Sequence, residues 1–437
     1  MSSVFKAAFR KGILKLRIPA ENIVAMLVRH PVPALTNLEE AAREALNNPV
    51  GMPKLTDLVK PGDKVTFLSG DDSYGYASRV GSVILDELKK AGVKREDITH
   101  VHAVGTHPVN RDAKEKALGP ILSRVGKAVD HDCVRRGDLA FVGVTRYGDP
   151  TWTTRYMVES DFNIGLGDIA PGWYGYKGGA NIMSPGCAGF ETIAYNHRLA
   201  MSPDAAPGEV ENIVHLDREN SGRLARLDMK VDVISNGGSG PQAGYAAVFA
   251  GDFEKEKRAA LSLVRRVYGT RMREKADIAV LTTQDSSPPV EYLYSGIYTS
   301  ILFAEKATKP DGILIPVFSA WKGYHPEPEP GTEGHPSSMH EANRLARMRL
   351  EDLARTVIRC ECNVRCGALI YPHRRVFDRR RVFLVTEGIS KEDGEKLGAA
   401  YTTDSFDEAL AKALQEKGKD ATIAVHLNEW GAMPLFD

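Results

Sequence analysis

Hydrophobic and polar positions follow a strand-then-helix pattern along most of the chain. A short apolar run at 63–68 predicts a strand, and apolar residues three and four positions apart at 77–91 predict a helix that ends at Gly92. The same reasoning predicts strands at 98–104, 139–144, 151–157, 162–166, 227–235 and 245–249, and a helix at 253–268. Alternating strands and helices indicate an α/β fold, with parallel or mixed sheets covered by helices.

A second series of strands and helices begins near residue 270. It consists of predicted strands at 278–281, 312–317, 382–385 and 422–425 and predicted helices at 290–307, 340–357 and 406–414. We therefore predict an N-terminal catalytic and cofactor-binding domain at 1–270 and a C-terminal α/β domain at 271–437. The site is expected in the cleft between the two domains.

Polar residues follow several of the predicted strands. Asp71, His107 and Ser286 come after the strands at 63–68, 98–104 and 278–281, where open α/β sheets bind ligands. His107 lies between Thr106 and Pro108, and a histidine held at a strand end is a candidate general base. The alternative is a histidine that only forms a hydrogen bond within its own loop.

A glycine-rich stretch at 164–198 runs into a predicted helix that starts near Ala188. Glycine allows backbone conformations and close approaches that a Cβ would prevent, and a helix N-terminus supplies backbone donors to anions. With Trp173 and Lys177 among the glycines, the stretch is a candidate wall for a flat, phosphate-bearing ligand. A tight strand-to-helix connection without a ligand is an equal alternative.

Composition narrows the choice of partner. The 437 residues contain 57 Lys+Arg and 57 Asp+Glu, and this zero net charge argues against nucleic acid as a main partner. No apolar run reaches the roughly 20 residues of a membrane span, and the basic N-terminus lacks the apolar core of a signal peptide. Five cysteines, an odd number, fit a reducing cytoplasm. We expect a cytoplasmic protein that acts on a small molecule.

A cluster of cysteines near the C-terminus is a second candidate for chemistry. Cys360, Cys362 and Cys366 are followed by His373. Their spacing matches no standard structural zinc site, which favours cysteine pairs two to four residues apart. We expect reduced cysteines without a metal or redox role.

Several motifs together resemble the lactate racemase superfamily, whose members depend on a nickel-pincer nucleotide. These motifs cover most of the chain in the expected order and lie at 46–51, 60–65, 105–107, 130–132, 165–171, 184–193, 196–197 and 250–252. The resemblance implies two α/β domains around a nickel-bearing pyridinium mononucleotide, whose ring accepts and returns a hydride. It also implies that proteins of cofactor biosynthesis are partners.

The resemblance assigns roles to individual residues. His107 matches the histidine that exchanges a proton with the substrate hydroxyl, and His197 matches the nickel ligand. Asp71 and Ser73 match the loop on the phosphate side of the cofactor. Asn181 replaces the lysine that tethers the cofactor; Lys177, just before the pair Gly178 and Gly179, is the alternative attachment point.

Other positions depart from the family pattern. Tyr74 replaces an expected arginine, and Trp173, with Gly172, replaces the second catalytic histidine. Ser295 and Tyr298 replace a glutamine and a lysine near the substrate. We expect Tyr74, Trp173 and Tyr298 to take part in catalysis and Ser295 to bind cofactor. Losing two positive charges predicts weak binding of a small anion such as lactate and favours a larger polyhydroxylated or aromatic substrate.

The predicted function is a racemase or epimerase of a 2-hydroxy acid or a sugar-acid-like substrate. One alternative is an enzyme of the same fold without nickel, a lyase or dehydratase that uses His107. The other is a non-catalytic protein that binds the nucleotide.

Overall fold

The computed structural model describes residues 2–70, 75–283, 288–298, 300–328, 330–332, 334–427 and 431–436. Its strands are β1 (Ser2–Phe9), β2 (Gly12–Pro19), β3 (Ile23–Leu27), β4 (Val65–Gly70), β5 (Ile98–Ala103), β6 (Lys127–Asp130), β7 (Leu139–Val144), β8 (Pro150–Thr154), β9 (Phe162–Asp168), β10 (Pro171–Gly172), β11 (Gly175–Tyr176), β12 (Met229–Ser235), β13 (Tyr245–Gly251), β14 (Gly269–Met272), β15 (Ala276–Thr282), β16 (Thr308–Val317), β17 (Arg381–Val385), β18 (Tyr401–Thr403), β19 (Ile423–His426) and β20 (Met433–Phe436).

Its α-helices are α1 (Leu38–Asn47), α2 (Leu55–Leu58), α3 (Ala77–Lys90), α4 (Arg111–Leu122), α5 (Arg155–Val158), α6 (Phe190–Arg198), α7 (Ile213–Leu224), α8 (Phe253–Tyr268), α9 (Leu293–Ile297), α10 (Ser300–Lys306), α11 (Ala342–Ala346), α12 (Leu350–Ile358), α13 (Val364–Arg379), α14 (Lys391–Lys396) and α15 (Phe406–Lys417). No helix among the described residues has the length and apolar content needed to cross a bilayer.

The described strands form two large sheets with helices packed on them, so the predicted α/β class is confirmed. The first sheet has the order β13-β12-β9-β4-β5-β6, and it is parallel except for the β12–β13 hairpin. The second has the order β18-β17-β16-β15-β19-β3 and is parallel throughout. Buried aliphatic and aromatic side chains form a separate core beside each sheet.

The N-terminal segment belongs with the second sheet. Strand β3 pairs with β19 at the edge of that sheet, and Phe9, Leu16 and Ile18 of the β1–β2 hairpin join the core around Ile278 and Phe383. The second sheet and its core therefore combine residues 2–27 with strands that follow residue 270, while the domain boundary at residue 270 stays a prediction. The β3–β19 pairing joins strands almost 400 residues apart, which local periodicity does not encode.

Several predicted elements differ locally from the structure. The strand predicted at 151–157 ends at Thr154, where α5 begins, and the helices predicted at 290–307 and 340–357 are each divided into two shorter helices. Helices α7 and α13 and the β1–β2 hairpin were not predicted. Helix α13 contains Pro372 and buries charged residues, so it lacks the usual amphipathic pattern.

Candidate active site

A cavity of about 550 Å³ lies at the carboxyl ends of β4, β5 and β9. Strand β4 lies between β5 and β9, so the chain order reverses beside β4. This is the crevice in which open α/β sheets bind ligands. The described lining includes a first wall from the first sheet and its loops, and a second wall formed by Tyr298, Arg365 and Leu369.

His107 stands in the loop after β5 and lines the cavity, as predicted from its strand-end position. The His107 amide donates to the Val104 carbonyl at 2.9 Å, which closes a tight turn. Gly105 in this turn has a φ of +57°, and a Cβ there would approach the Pro185 carbonyl oxygen to 3.1 Å. The loop is thus braced against the segment before α6, and it directs an exposed imidazole to the cavity.

The glycine-rich stretch forms a two-strand ribbon, β10–β11, and then a short 3-10 helix. Gly178 has a φ of +88°, and a Cβ there would lie 2.5 Å from Ile169 Cγ1. The Lys177 amide donates to the Ala170 carbonyl at 2.7 Å, and the Gly179 amide donates to Asp232 Oδ2 at 2.8 Å. Gly178 lines the cavity, whereas the described lining does not include Gly179.

His197 lies on α6 and is nine-tenths buried in the cavity wall. Nδ1 is 2.8 Å from the Ile193 carbonyl oxygen, to which it donates its proton. Burial, followed by the charge of Arg218, lowers the pKa of His197 to about 3, so the ring is neutral at physiological pH. Nε2 then carries a lone pair, and within the described residues it has no hydrogen-bond partner. A neutral imidazole anchored through one nitrogen is the usual form of a metal-ligating histidine.

The second wall is aromatic and contacts the first directly. The Trp173 and Tyr298 rings meet edge to face with centroids 4.0 Å apart, and Tyr298 stacks on His373 at 5.8 Å. Tyr174 Oη donates to the Ala368 carbonyl of α13 at 3.0 Å. These contacts between rings and backbone join the glycine ribbon to the C-terminal half of the chain.

Two arginines in the lining were not predicted. Arg218 comes from α7 and Arg365 from the first turn of α13. The predicted loss of positive charge at positions 74 and 298 therefore does not leave the cavity poor in cations. Asn212, which caps α7 by accepting from the amides of Val214 and His215, was the sequence signal for the missed helix.

A buried polar network stands behind Arg218. Its Nε donates to Asn196 Oδ1 at 2.8 Å, and Asn196 Nδ2 donates to Asp217 Oδ2 at 2.8 Å. Thr145 Oγ1 donates to the other Asp217 oxygen at 2.6 Å. Burial and the neighbouring Asp217 raise the pKa of Asp149 to about 9, so Asp149 is protonated at neutral pH.

Asn181 lines the cavity, and its buried Oδ1 has no partner among the described residues. The buried Nε1 of Trp173 is likewise unpartnered there. Lys177 and Tyr298 also line the cavity.

One predicted residue is absent from the described lining of the cavity, and four others lie outside the described residues. Ser295 is exposed on α9 and is absent from the described lining, so its role stays a prediction without positional support. Asp71, Ser73, Tyr74 and Ser286 lie outside the described residues. The cavity is therefore described without these four side chains.

The cysteine cluster shows no metal site in the part of the chain that the structure describes. No group of three or more histidine, cysteine or carboxylate side chains has a geometry suited to a metal there. Cys366 is buried at the start of α13, Cys360 is exposed, and both nitrogens of His373 contact backbone carbonyls.

Comparison with known proteins agrees with the motifs. A sequence profile of the lactate racemase N-terminal domain matches residues 9–208. The lactate racemase of Thermoanaerobacterium thermosaccharolyticum is 25% identical over 315 residues, 70% of this chain and 72% of the relative. The lactate racemase of Lactiplantibacillus plantarum is 24% identical over 323 residues, 72% and 74% of the two chains.

Two solved structures share the fold. The lactate racemase apoprotein from T. thermosaccharolyticum superposes with a TM-score of 0.79 at 20% identity, covering 100% of both chains. A protein from Thermotoga maritima superposes with a TM-score of 0.60 at 16% identity, covering 93% of this chain and 99% of the other. The chain is thus similar to lactate racemases in sequence and in fold, as its motifs predicted.

Proposed function

We propose that this chain is an isomerase that racemises or epimerises a 2-hydroxy acid or a sugar-acid-like substrate. The observation that carries the proposal is the placement of His107 and the neutral His197 in one cavity. One histidine is exposed to accept a proton, and the other presents a ring nitrogen suited to a metal. The lactate racemases similar to this chain support the reaction class.

The donor set fits a metal that arrives with ligands of its own. His197 supplies a neutral ring nitrogen, and the described residues contain no group of three side chains that could hold a metal. This is the arrangement expected for a nickel-pincer nucleotide, with His197 as the ligand from the protein. When bound, such a nucleotide would supply a pyridinium ring that accepts and returns a hydride. The unpartnered amide oxygen of Asn181 and the strand-end loops would face that group.

His107 would act on the substrate hydroxyl. His107 would take up the hydroxyl proton and return it, and the nucleotide, when bound, would supply the acceptor for the C2 hydrogen as a hydride. Return of the hydride to the opposite face of the planar carbon would invert the centre. A histidine side chain can both accept and donate a proton, which suits both directions of the transfer. Trp173 and Tyr298 cover the cavity with aromatic surface, which limits the access of water to the planar carbon.

Attachment of the nucleotide is a separate question. The side-chain amide of Asn181 is a poor nucleophile, so we propose that Lys177 carries the group or that it binds without a covalent bond. Intact-mass measurement on wild-type protein and on Lys177→Ala, both made with the cofactor supplied, tests this. An adduct that survives denaturation in Lys177→Ala would show that both options are wrong.

We further propose that the protein works in the cytoplasm beside the proteins that make its cofactor. The unpaired state of the described cysteines is compatible with a reducing compartment. Co-purification with cofactor-biosynthesis proteins would test the partnership.

The central test is inversion of a single enantiomer by the loaded protein. Pure enantiomers of several 2-hydroxy acids and sugar acids labelled with deuterium at C2 are incubated with it, and the products are separated by chiral chromatography. We expect inversion with the label largely retained at C2, and no inversion by protein made without the cofactor. Loss of water with formation of a keto acid would instead establish the lyase or dehydratase alternative.

A further inference from the structure

Arg218 is a buried charge that forms no direct ion pair among the described residues. Its side chain lines the cavity at 5% exposure. Within the described residues its guanidinium donates to the neutral amide of Asn196, and it forms no ion pair. Burial lowers the pKa of Arg218 only to about 10, so it remains charged at neutral pH. The charge of Asp217 acts on Arg218, but the Asp217 oxygens accept from Asn196 and Thr145 and not from the guanidinium. A buried guanidinium without a direct ion pair is unfavourable, which favours an anion in the cavity as its partner.

The network behind Arg218 fixes its direction. Asn196 Nδ2 donates to both Asp217 Oδ2 and the Val214 carbonyl, at 2.8 and 3.1 Å. Both amide hydrogens are therefore committed, and the amide oxygen must face Arg218 Nε. The Tyr174 ring lies 5.9 Å from the guanidinium carbon. Arg218 is thus held by Nε, and its side chain lines the cavity.

Arg365 approaches the same space from the second wall. Its Nη1 donates to the Ser337 carbonyl at 3.0 Å, and it too has no ion pair among the described residues. Arg365, Arg218 and His197 all line the same cavity, so both guanidinium groups share it with the histidine that we propose as the metal ligand.

We propose that Arg218 and Arg365 bind the acid group of the substrate from two sides of the cavity. The proposal rests on the proposed function and specifies the substrate as a carboxylate anion. Arginine forms paired, charge-assisted hydrogen bonds with a carboxylate, which a neutral amide or polyol cannot reproduce. These residues restore, at different positions, the positive charge absent at Tyr298. Small 2-hydroxy acid anions are therefore substrates that the cavity accepts.

Acid groups of the bound nucleotide offer the same chemistry. The experiment must therefore separate binding of the substrate from binding of the cofactor. We use Arg218→Gln and Arg365→Gln, with Arg218→Lys and Arg365→Lys as variants that keep the charge. Arg349→Gln is the matched control, because Arg349 is 81% exposed and pairs with Glu351 at the surface.

Each loaded variant is assayed with the 2-hydroxy acid that wild type inverts, and its nickel and nucleotide content is measured. We expect each glutamine variant to raise KM by about 10- to 100-fold, the usual loss for a hydrogen bond to a charged group. We expect kcat and nickel content to change less than about threefold. The lysine variants should recover part of the affinity, and Arg349→Gln should behave as wild type.

Two results would overturn the proposal, and a third would show that the proposed function itself fails. Unchanged KM in both glutamine variants would show that the acid group binds elsewhere. Loss of nickel or nucleotide would assign the arginines to the cofactor instead. If wild type inverts no hydroxy acid, the proposed function fails. Calorimetric titration of unloaded wild type and Arg365→Gln with lactate and with lactamide then decides the inference. Binding of lactate but not lactamide, lost in Arg365→Gln, supports it. Equal binding of the two ligands, or no binding of either, overturns it.

Discussion

Each side of the cavity contains a buried histidine on a helix, and the two rings have different surroundings. His197 on α6 and His373 on α13 each place Nδ1 near the carbonyl oxygen four residues earlier, at 2.8 and 2.7 Å. His373 Nε2 also lies 2.7 Å from the Tyr298 carbonyl oxygen. His197 Nε2 has no such partner in the described part of the chain and borders the cavity.

The comparison shows that the helix itself provides the partner of Nδ1, whereas the tertiary structure decides whether Nε2 has a partner. Both helices supply the carbonyl at i−4, so a histidine there is anchored in either case. Only the position of the second wall relative to α13 places a backbone acceptor on Nε2 of His373. His373 is therefore committed to structure, and His197 remains available for a ligand.

The largest effect is expected at His107, on the first wall. His107→Ala should lower turnover by about 10²–10⁴-fold, the usual contribution of a positioned acid or base. The exposed side chain makes little contribution to packing, so the free energy of unfolding should change by less than about 0.5 kcal/mol. Chiral assay and denaturant unfolding check the two values.

His335→Ala is the control, because this exposed histidine makes its described side-chain contacts with Ser337 in its own loop, at 2.5 Å. We expect it to retain wild-type turnover. Full activity in His107→Ala, on a substrate that wild type inverts, would remove His107 from the catalytic step.

The next largest effect is a difference between alanine variants of the two buried histidines. His197→Ala should lower bound nickel by at least about tenfold, because the ligand from the protein is lost, while unloaded protein stays folded. His373→Ala should keep nickel binding but destabilise the fold by about 2–5 kcal/mol, because it removes a buried ring and leaves the Tyr298 carbonyl unpaired. Metal analysis and denaturant unfolding of both variants test this contrast. Nickel retained in His197→Ala would end the proposed role of His197.

The same difference between the two walls explains which residues of the site could be predicted from the sequence. The strand before His107 was recognised from the sequence, so the position of His107 in the loop that follows it could be predicted. Arg218 and Arg365 were missed because α7 and α13 bury charged residues, among them Asp217 and His373. A helix that buries charge lacks the apolar stripe by which helices are recognised. The buried charged residues of α7 and α13 are explained by their hydrogen-bond partners in the folded protein, which the sequence pattern does not reveal.

A smaller effect concerns the pH dependence of stability in the first wall. The folded pKa of Asp149 is about 9, raised from 3.8 by burial and then by Asp217. Between those values the folded state retains a proton that the unfolded state has released. The free energy of unfolding therefore falls as pH rises across this window. Asp149→Asn should reduce this slope and raise stability at pH 8 by at least about 1 kcal/mol.

Denaturant unfolding from pH 5 to pH 9 measures the slope. Asp352→Asn, a surface aspartate that pairs with Arg355, is the matched control and should leave the slope unchanged. An identical slope in wild type and Asp149→Asn would mean that Asp149 is already ionised in the folded protein.

The smallest expected effect is at Tyr298, and it tests whether the second wall only covers the cavity. Burial keeps the pKa of Tyr298 above its usual range, so the phenol stays neutral, and its hydroxyl interacts with that of Tyr294. Tyr298→Phe keeps the ring against Trp173 and should lower the free energy of unfolding by about 1 kcal/mol, the net value of one hydrogen bond. Turnover should change less than about threefold if the second wall only covers the cavity, whereas the predicted catalytic role of Tyr298 requires a larger loss. Tyr294→Phe removes the same hydrogen bond without altering a residue of the described lining, so the two variants should have equal stability and activity in unfolding and chiral assays. Turnover that falls by about two orders of magnitude in Tyr298→Phe alone, the effect of losing an acid or base, would show that its hydroxyl acts on the substrate, and the second wall would then share in the chemistry.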